Sequence, residues 1–221
     1  VSGVSGGQGI FITLEGGEGA GKSTQARLLQ AWLNDLGHQV LLTREPGGSP
    51  NAECLRTLLL SGRVAPFGND AEAVVFAIAR ADHVAETIRP ALERGEWVIC
   101  DRFIDSTRAY QGSAGVPPER IAELEDIAAG ETVPDLTLIL DLPAKEGLAR
   151  ADGRDMAPDR FEADNLAVHE ARRDVFLKIA RDEPQRCAVI DAGHDETVVF
   201  AQIKVVIRGR LGEALSEKEQ D

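Results

Sequence analysis

A three-layer α/β fold, a five-stranded parallel sheet with helices on both faces, is predicted by three observations. Five short apolar runs recur along the chain, at residues 10–14, 39–43, 96–101, 136–141 and 187–191. Each reads as a strand covered on both sides rather than one facing water. Longer segments of helical periodicity separate them, which is the βαβ pattern of a parallel sheet. The length, 221 residues, fits one such domain.

The elements are justified in order. IFITL at 10–14 is the first strand, and residues 22–36 form a helix closed by Gly37. QVLLT at 39–43 is the second strand, and 51–60 and 71–94 read as helices. Pro90 should kink or break the last turn of the latter, because it has no N–H and crowds the preceding turn. EWVICD at 96–101 is the third strand, and 118–129 a helix. LTLILD at 136–141 is the fourth strand, 160–181 a long helix, CAVID at 187–191 the fifth strand, and 196–211 the final helix. Residues 1–9 read as a flexible lead-in, 10–212 as a single domain and 213–221 as an acidic tail.

Composition excludes several classes. The net charge is −13, which opposes binding to nucleic-acid polymers or anionic membranes. No apolar run approaches the ~18 residues of a membrane span. Cys54, Cys100 and Cys187 are odd in number and form no CxxC pair, so they read as reduced, buried thiols of a cytoplasmic protein. His38, His83, His169 and His194 are scattered and read as ordinary residues.

Chemistry is expected after the strands, because ligands of such sheets sit at the strands' carboxyl ends. After the first strand comes Gly16-Gly17-Glu18-Gly19-Ala20-Gly21-Lys22-Ser23-Thr24, which contains the phosphate-binding pattern GxxxxGK[ST]. The glycines let successive N–H groups turn toward phosphate oxygens. Lys22 supplies a point charge for β and γ phosphates, and Ser23 a hydroxyl for Mg²⁺. The next helix adds its positive end. This reads as nucleoside triphosphate binding. A GTPase is not indicated, since no Asn-Lys pair occurs in the chain.

A second substrate is read from the other strand ends. Arg44 follows the second strand, where a guanidinium can fork onto phosphate, although an exposed loop arginine would look the same. Asp101 and Arg102 end the third strand. Asp101 would hold a water of Mg²⁺, and Arg102 would point at a second phosphate. Asp141 ends the fourth strand, but Leu142 and Pro143 follow it, so Asp101 is preferred. Phe76 and Arg80 share a helix face; they suit a stacked base and its carbonyl, or equally a core ring and a snorkelling arginine. Ser106, Thr107, Tyr110 and Gln111 follow Arg102 on a helix expected from about Asp105, and packing would explain them as well.

FITLEGGEGAGKSTQARLL, TREPGG, FAIAR, DRFIDSTRAYQG and PDLTLILDL together resemble the thymidylate kinases of bacterial type over about residues 10–212. TREPGG and the DR-x₃-S-x₃-YQG block carry more specificity than the phosphate loop does. The resemblance implies the P-loop nucleoside monophosphate kinase fold, ATP with Mg²⁺, and the conversion of dTMP to dTDP. It implies that Arg44 and Arg102 grip the dTMP phosphate, that Phe76 stacks on thymine, and that Arg80 bonds its O4 edge. Ser106 lies in the same block, and Thr107 and Gln111 fall where base-edge contacts are expected. Tyr110 falls beside the sugar's 2′ carbon, and Glu18 near the acceptor's 3′ hydroxyl. Members with no basic residue inside the phosphate loop, as here with Gly17 and Glu18, carry the catalytic arginine in a lid. The lid falls at about 149–161, where Arg154 ranks ahead of Arg150, and Arg160 is expected to pair with Glu162 or Asp164. Family members are commonly homodimers.

A phosphate monoester is already a nucleophile at neutral pH, so transfer is a matter of positioning and charge. Two other classes remain: a deoxynucleoside kinase, which would need a carboxylate base instead of paired arginines, and a non-enzymatic switch ATPase, which would need neither those arginines nor a lid.

Overall fold

The computed structural model describes residues 9–152, 160–161 and 163–216. Five strands form one sheet: β1 (Phe11–Gly16), β2 (Val40–Arg44), β3 (Trp97–Asp101), β4 (Leu136–Asp141) and β5 (Cys187–Asp191). All neighbours are parallel, in the order β2-β3-β1-β4-β5. The predicted fold class is the one observed.

β1 is the central strand and every residue of it is buried. Its side chains leave by alternate faces. Ile12 and Leu14 enter one core with Leu29 and Leu33 of α1 (Lys22–Asp35) and Ile203 and Ile207 of α9 (Glu196–Ser216). Each such fully buried side chain contributes about 1.5–3 kcal/mol. Phe11 enters the opposite core with Ile88, Val98 and Phe103. The same alternation turns Thr13 and Glu15 to that second face, which is crossed by α5 (Ile104–Ser113). The chain leaves β1 toward α1 and leaves β3 toward α5, on opposite faces. A crevice therefore opens between the carboxyl ends of these neighbouring strands.

α2 (Pro50–Leu60), α3 (Asn69–His83) and α6 (Pro118–Ala128) lie near their expected positions. The segment expected as one helix over 71–94 is three pieces. α3 stops at His83, a wide π-helical turn covers Val84–Ile88, and α4 (Arg89–Glu93) follows. Pro90 removes a donor and crowds the carbonyl four residues back, and the widened turn makes room for it.

Other expectations are corrected. The helix expected from residue 160 starts at Leu166, because Asn165 caps it, its side chain accepting the Val168 N–H at 3.1 Å; this is α8 (Leu166–Asp182). α7 (Ala144–Asp152), which follows β4, was not expected as a helix. The final helix runs on to Ser216 past a break at Leu211, where φ is −124°. Gly9 already belongs to the fold, its N–H donating to the Leu92 carbonyl.

Cys100 and Cys187 are buried free thiols, but Cys54 is exposed, on the outer side of a helix whose inner side is Ala52 and Leu59. No helix among the described residues is long and apolar enough to cross a membrane.

Candidate active site

The phosphate loop is shaped by glycine. Gly16 has φ 136° and Gly19 φ 68°, and a Cβ at either would come within 2.4 and 1.9 Å of the Leu140 and Gly147 carbonyl oxygens. Only glycine fits this fold-back. The loop closes on Lys22, whose Nζ donates to the Gly17 carbonyl at 2.7 Å and that of Gly16 at 3.2 Å. Burial, then Arg102, brings the lysine down to about 8 against the opposing pull of Glu18 and Asp101. Gly21 begins α1 with no side-chain cap, which leaves the helix's first N–H groups for an anion. The Ala20 side chain lies in the core, so only its backbone is offered to the loop. Ser23 donates its hydroxyl to Asp101, so these two hard oxygen donors meet. Asp141 instead takes a bidentate pair from Arg173 at 2.6 and 3.0 Å.

One cavity of about 780 Å³ runs from this loop to a second set of side chains. Lys22, Ser23 and Thr24 line one end, and Phe76, Arg80 and Gln111 the other. Between them stands Arg102. It is the only non-glycine residue with positive φ among those described, 72°, a conformation costing of order 1–3 kcal/mol. Its Nη2 bonds Glu18 Oε1 at 2.7 Å, and its Nη1 reaches the Gly16 carbonyl at 3.2 Å and the Ser106 hydroxyl at 3.3 Å. Burial opposes the Glu18 charge, but Arg102, then Lys22 and the Tyr110 hydroxyl, overcome it and hold the carboxyl down to about 2.

Tyr110 donates to Glu18 Oε1 at 2.5 Å. Its ring is fixed edge-on by Phe161, centroids 5.6 Å apart, and by the Arg102 and Arg172 guanidinium groups at 5.0 and 4.4 Å. Burial lifts its phenol above the ordinary range, so it remains a donor. Phe76 lines the cavity with its centroid 6.1 Å from Phe161. Arg80 is buried and spread over three partners: Glu45 at 2.8 Å, Thr107 Oγ1 at 3.0 Å and the Phe103 carbonyl at 2.9 Å. Gln111 donates to Glu72 at 3.0 Å. Arg44 lines the cavity mouth, half exposed, paired with Glu53 at 3.0 Å.

The structure also brings in residues that the sequence reading passed over. Glu15 is fully buried behind Arg102; burial, then Asp105, pushes its carboxyl up to about 7 despite its hydrogen bonds. Glu45 holds Arg80 and also His83, whose other ring nitrogen meets Thr43 Oγ1 at 2.7 Å, so that histidine is a buried strut. Glu72 ties Gln111 to Arg160, which does not pair with Asp164 as expected; Asp164 is taken by Arg172. Glu162 lies outside the described residues. A charged residue inside a buried strand was the available signal for Glu15. Arg150, in the last turn of α7, lines the cavity and donates to the Ala192 carbonyl at 3.0 Å. Arg154 lies outside the described residues.

A phosphate loop at the end of a central parallel strand, sharing one cavity with a second arginine-lined pocket, defines a P-loop phosphotransferase of the nucleoside monophosphate kinase kind. The thymidylate kinase family model matches residues 14–203. Thymidylate kinases of a Bradyrhizobium species and of Afipia carboxidovorans are 52% and 53% identical, each over 95% of this chain and 94% and 93% of the relative. A crystal structure of thymidylate kinase from Ehrlichia chaffeensis superposes with a TM-score of 0.74 at 33% identity, over 91% of this chain and 99% of that one. The chain belongs to the thymidylate kinase family.

Proposed function

We propose that the chain transfers the γ-phosphoryl group of ATP to the phosphate of dTMP, giving ADP and dTDP. The observation that carries this reading is the single cavity that joins the Lys22 cradle to Arg102 and a Phe76 wall. A nucleoside acceptor would need a base at its hydroxyl, and a switch ATPase would need no second pocket, so neither alternative is favoured.

The roles follow from the geometry. The loop from Gly16 to Thr24 wraps the donor phosphates with its N–H groups, and Lys22 exchanges its two carbonyl partners for phosphate oxygens. Arg102 holds the acceptor phosphate, with Arg44 swinging in from its exposed pairing with Glu53. Phe76 stacks on the base, and Arg80 faces its edge from a guanidinium already fixed by Glu45 and Thr107. Gln111 takes part in the same edge. Glu18 sits where the acceptor's sugar would meet Arg102.

Ser23 and Asp101 would hold Mg²⁺, since a hydroxyl and a carboxylate in contact are the hard oxygen donors it takes. The ion would neutralise donor phosphate charge and template its geometry. A homodimer and a cytoplasmic location complete the reading. Val74 and Ile78, exposed and one turn apart on α3, support the former.

ADP release with dTMP, against thymidine, dUMP and AMP, tests the assignment. Turnover with AMP but not dTMP would overturn it. A second expectation concerns Tyr110. Tyr110→Ala should relax the preference for dTMP over the ribonucleotide by about tenfold or more, the worth of one small group in a packed pocket. Tyr110→Phe keeps the ring and should keep the preference. Unchanged selectivity in the Ala variant removes that role.

A further inference from the structure

We propose that Glu15 is a positioning residue for the acceptor phosphate, acting on Arg102 through the first turn of α5. This rests on the reading of Arg102 as the phosphate grip.

Glu15 is the last polar side chain on the second face of β1 and is completely buried. Its Oε1 accepts the Phe103 N–H at 2.7 Å and the Ser106 N–H at 3.2 Å. Its Oε2 accepts the Ser106 hydroxyl at 2.6 Å. Phe103 is the N-cap of α5, the residue just before the helix, and no side chain of its own segment caps that end. The first N–H groups of a helix lack intrahelical partners. The Glu15 carboxyl, from the neighbouring strand, accepts two of them here, those of Phe103 and Ser106.

Arg102 immediately precedes this cap. Its own N–H donates to the Leu14 carbonyl at 2.9 Å. The residue is thus pinned on both sides to consecutive residues of β1, Leu14 at its own N–H and Glu15 at the next. Those two anchors hold the left-handed backbone of Arg102 against its cost. A second route runs through side chains. The Ser106 hydroxyl that donates to Glu15 accepts from Arg102 Nη1 at 3.3 Å. Backbone and guanidinium are both referred to the same buried carboxyl. Ser106 then serves as the relay between Glu15 and Arg102.

The alternative is that Glu15 only stabilises the fold. The test compares dTMP with thymidine, which shares base and sugar but lacks the phosphate. Binding of each is measured by calorimetry, with ADP as a control for the phosphate loop, in wild type, Glu15→Ala, Glu15→Gln and Ser106→Ala. A charge-assisted hydrogen bond corresponds to one to two powers of ten in affinity. Glu15→Ala should lower the dTMP-to-thymidine affinity ratio about 100-fold, and Glu15→Gln and Ser106→Ala about 10-fold. Thymidine and ADP affinities should stay within about threefold. Arg102→Ala should collapse the ratio too, and adding Glu15→Gln to it should change the ratio no further.

Equal losses for dTMP and thymidine, or an unchanged ratio in the isosteric Gln variant, would overturn the proposal. If Glu15→Ala does not fold, Glu15→Gln and Ser106→Ala still decide. Wild type that fails to prefer dTMP over thymidine would instead overturn the acceptor reading, so the two failures are distinct.

Discussion

Replacing Lys22 with Ala is expected to lower kcat by about 10³-fold or more while the fold stays intact. The side chain is buried under its own loop and bonded, among the described residues, only to backbone carbonyls, so its removal breaks no packing that the core depends on. What is lost is the one lysine charge at the donor phosphates, in a site where water competes poorly. The variant should melt within a few degrees of wild type. Turnover near the wild-type level in a folded Lys22→Ala protein would refute the phosphate-loop assignment.

The same lysine makes a pH prediction. Burial and the neighbouring Arg102 bring it down to about 8, so in the empty site it is partly neutral at pH 8 and charged at pH 6.5. Donor phosphates favour the charged form and raise its pKa again. ADP binding near pH 8 should therefore take up protons, and affinity should fall as pH rises above about 8. Calorimetry in two buffers of different ionisation enthalpy detects the uptake. Binding heats that are equal in both buffers would contradict it.

The parts of this site that could be read from the sequence are those fixed locally. The phosphate loop is a contiguous pattern whose glycines answer to backbone geometry, and the strands declare themselves by continuous burial. Asp101 was separable from Asp141 by its neighbours, and the structure pairs Asp141 with Arg173. The supporting carboxylates were not legible in the same way. Glu15 meets Phe103 and Ser106 at separations of 88 and 91 residues, and Glu72 meets Arg160 at 88. No local spacing encodes such a pair; it exists only once β1 lies beside β3 and Arg160 lies against α3. Arg160 illustrates the same limit. Nearby acids looked sufficient for it, but Arg172 holds Asp164 and the buried Glu72 takes Arg160.

Charge accounting inside the cavity leads to the second large effect, expected at Arg154. Lys22 and Arg102 face Glu18, which is held ionised, and Asp101 at the reacting centre. Arg44 and Arg80 are matched by Glu53 and Glu45. Arg27, Arg56 and Arg150 also line the cavity, so cations outnumber the carboxylates and suit two bound phosphate groups that must approach in line. Binding charge of that kind is present before transfer, whereas an arginine supplied from outside the cradle to the transferring group is worth 10³–10⁵ in comparable transfers.

Arg150 donates to the Ala192 carbonyl, and Arg160 is engaged by Glu72. Arg154→Ala should therefore lower kcat by about 10³-fold, with KM for both substrates little changed, because the interaction is made chiefly in the transition state. Arg150→Ala should act mainly on KM for ATP, by about tenfold, one charge-assisted hydrogen bond. A larger fall in kcat for Arg150→Ala than for Arg154→Ala would move the transferring charge onto the end of α7.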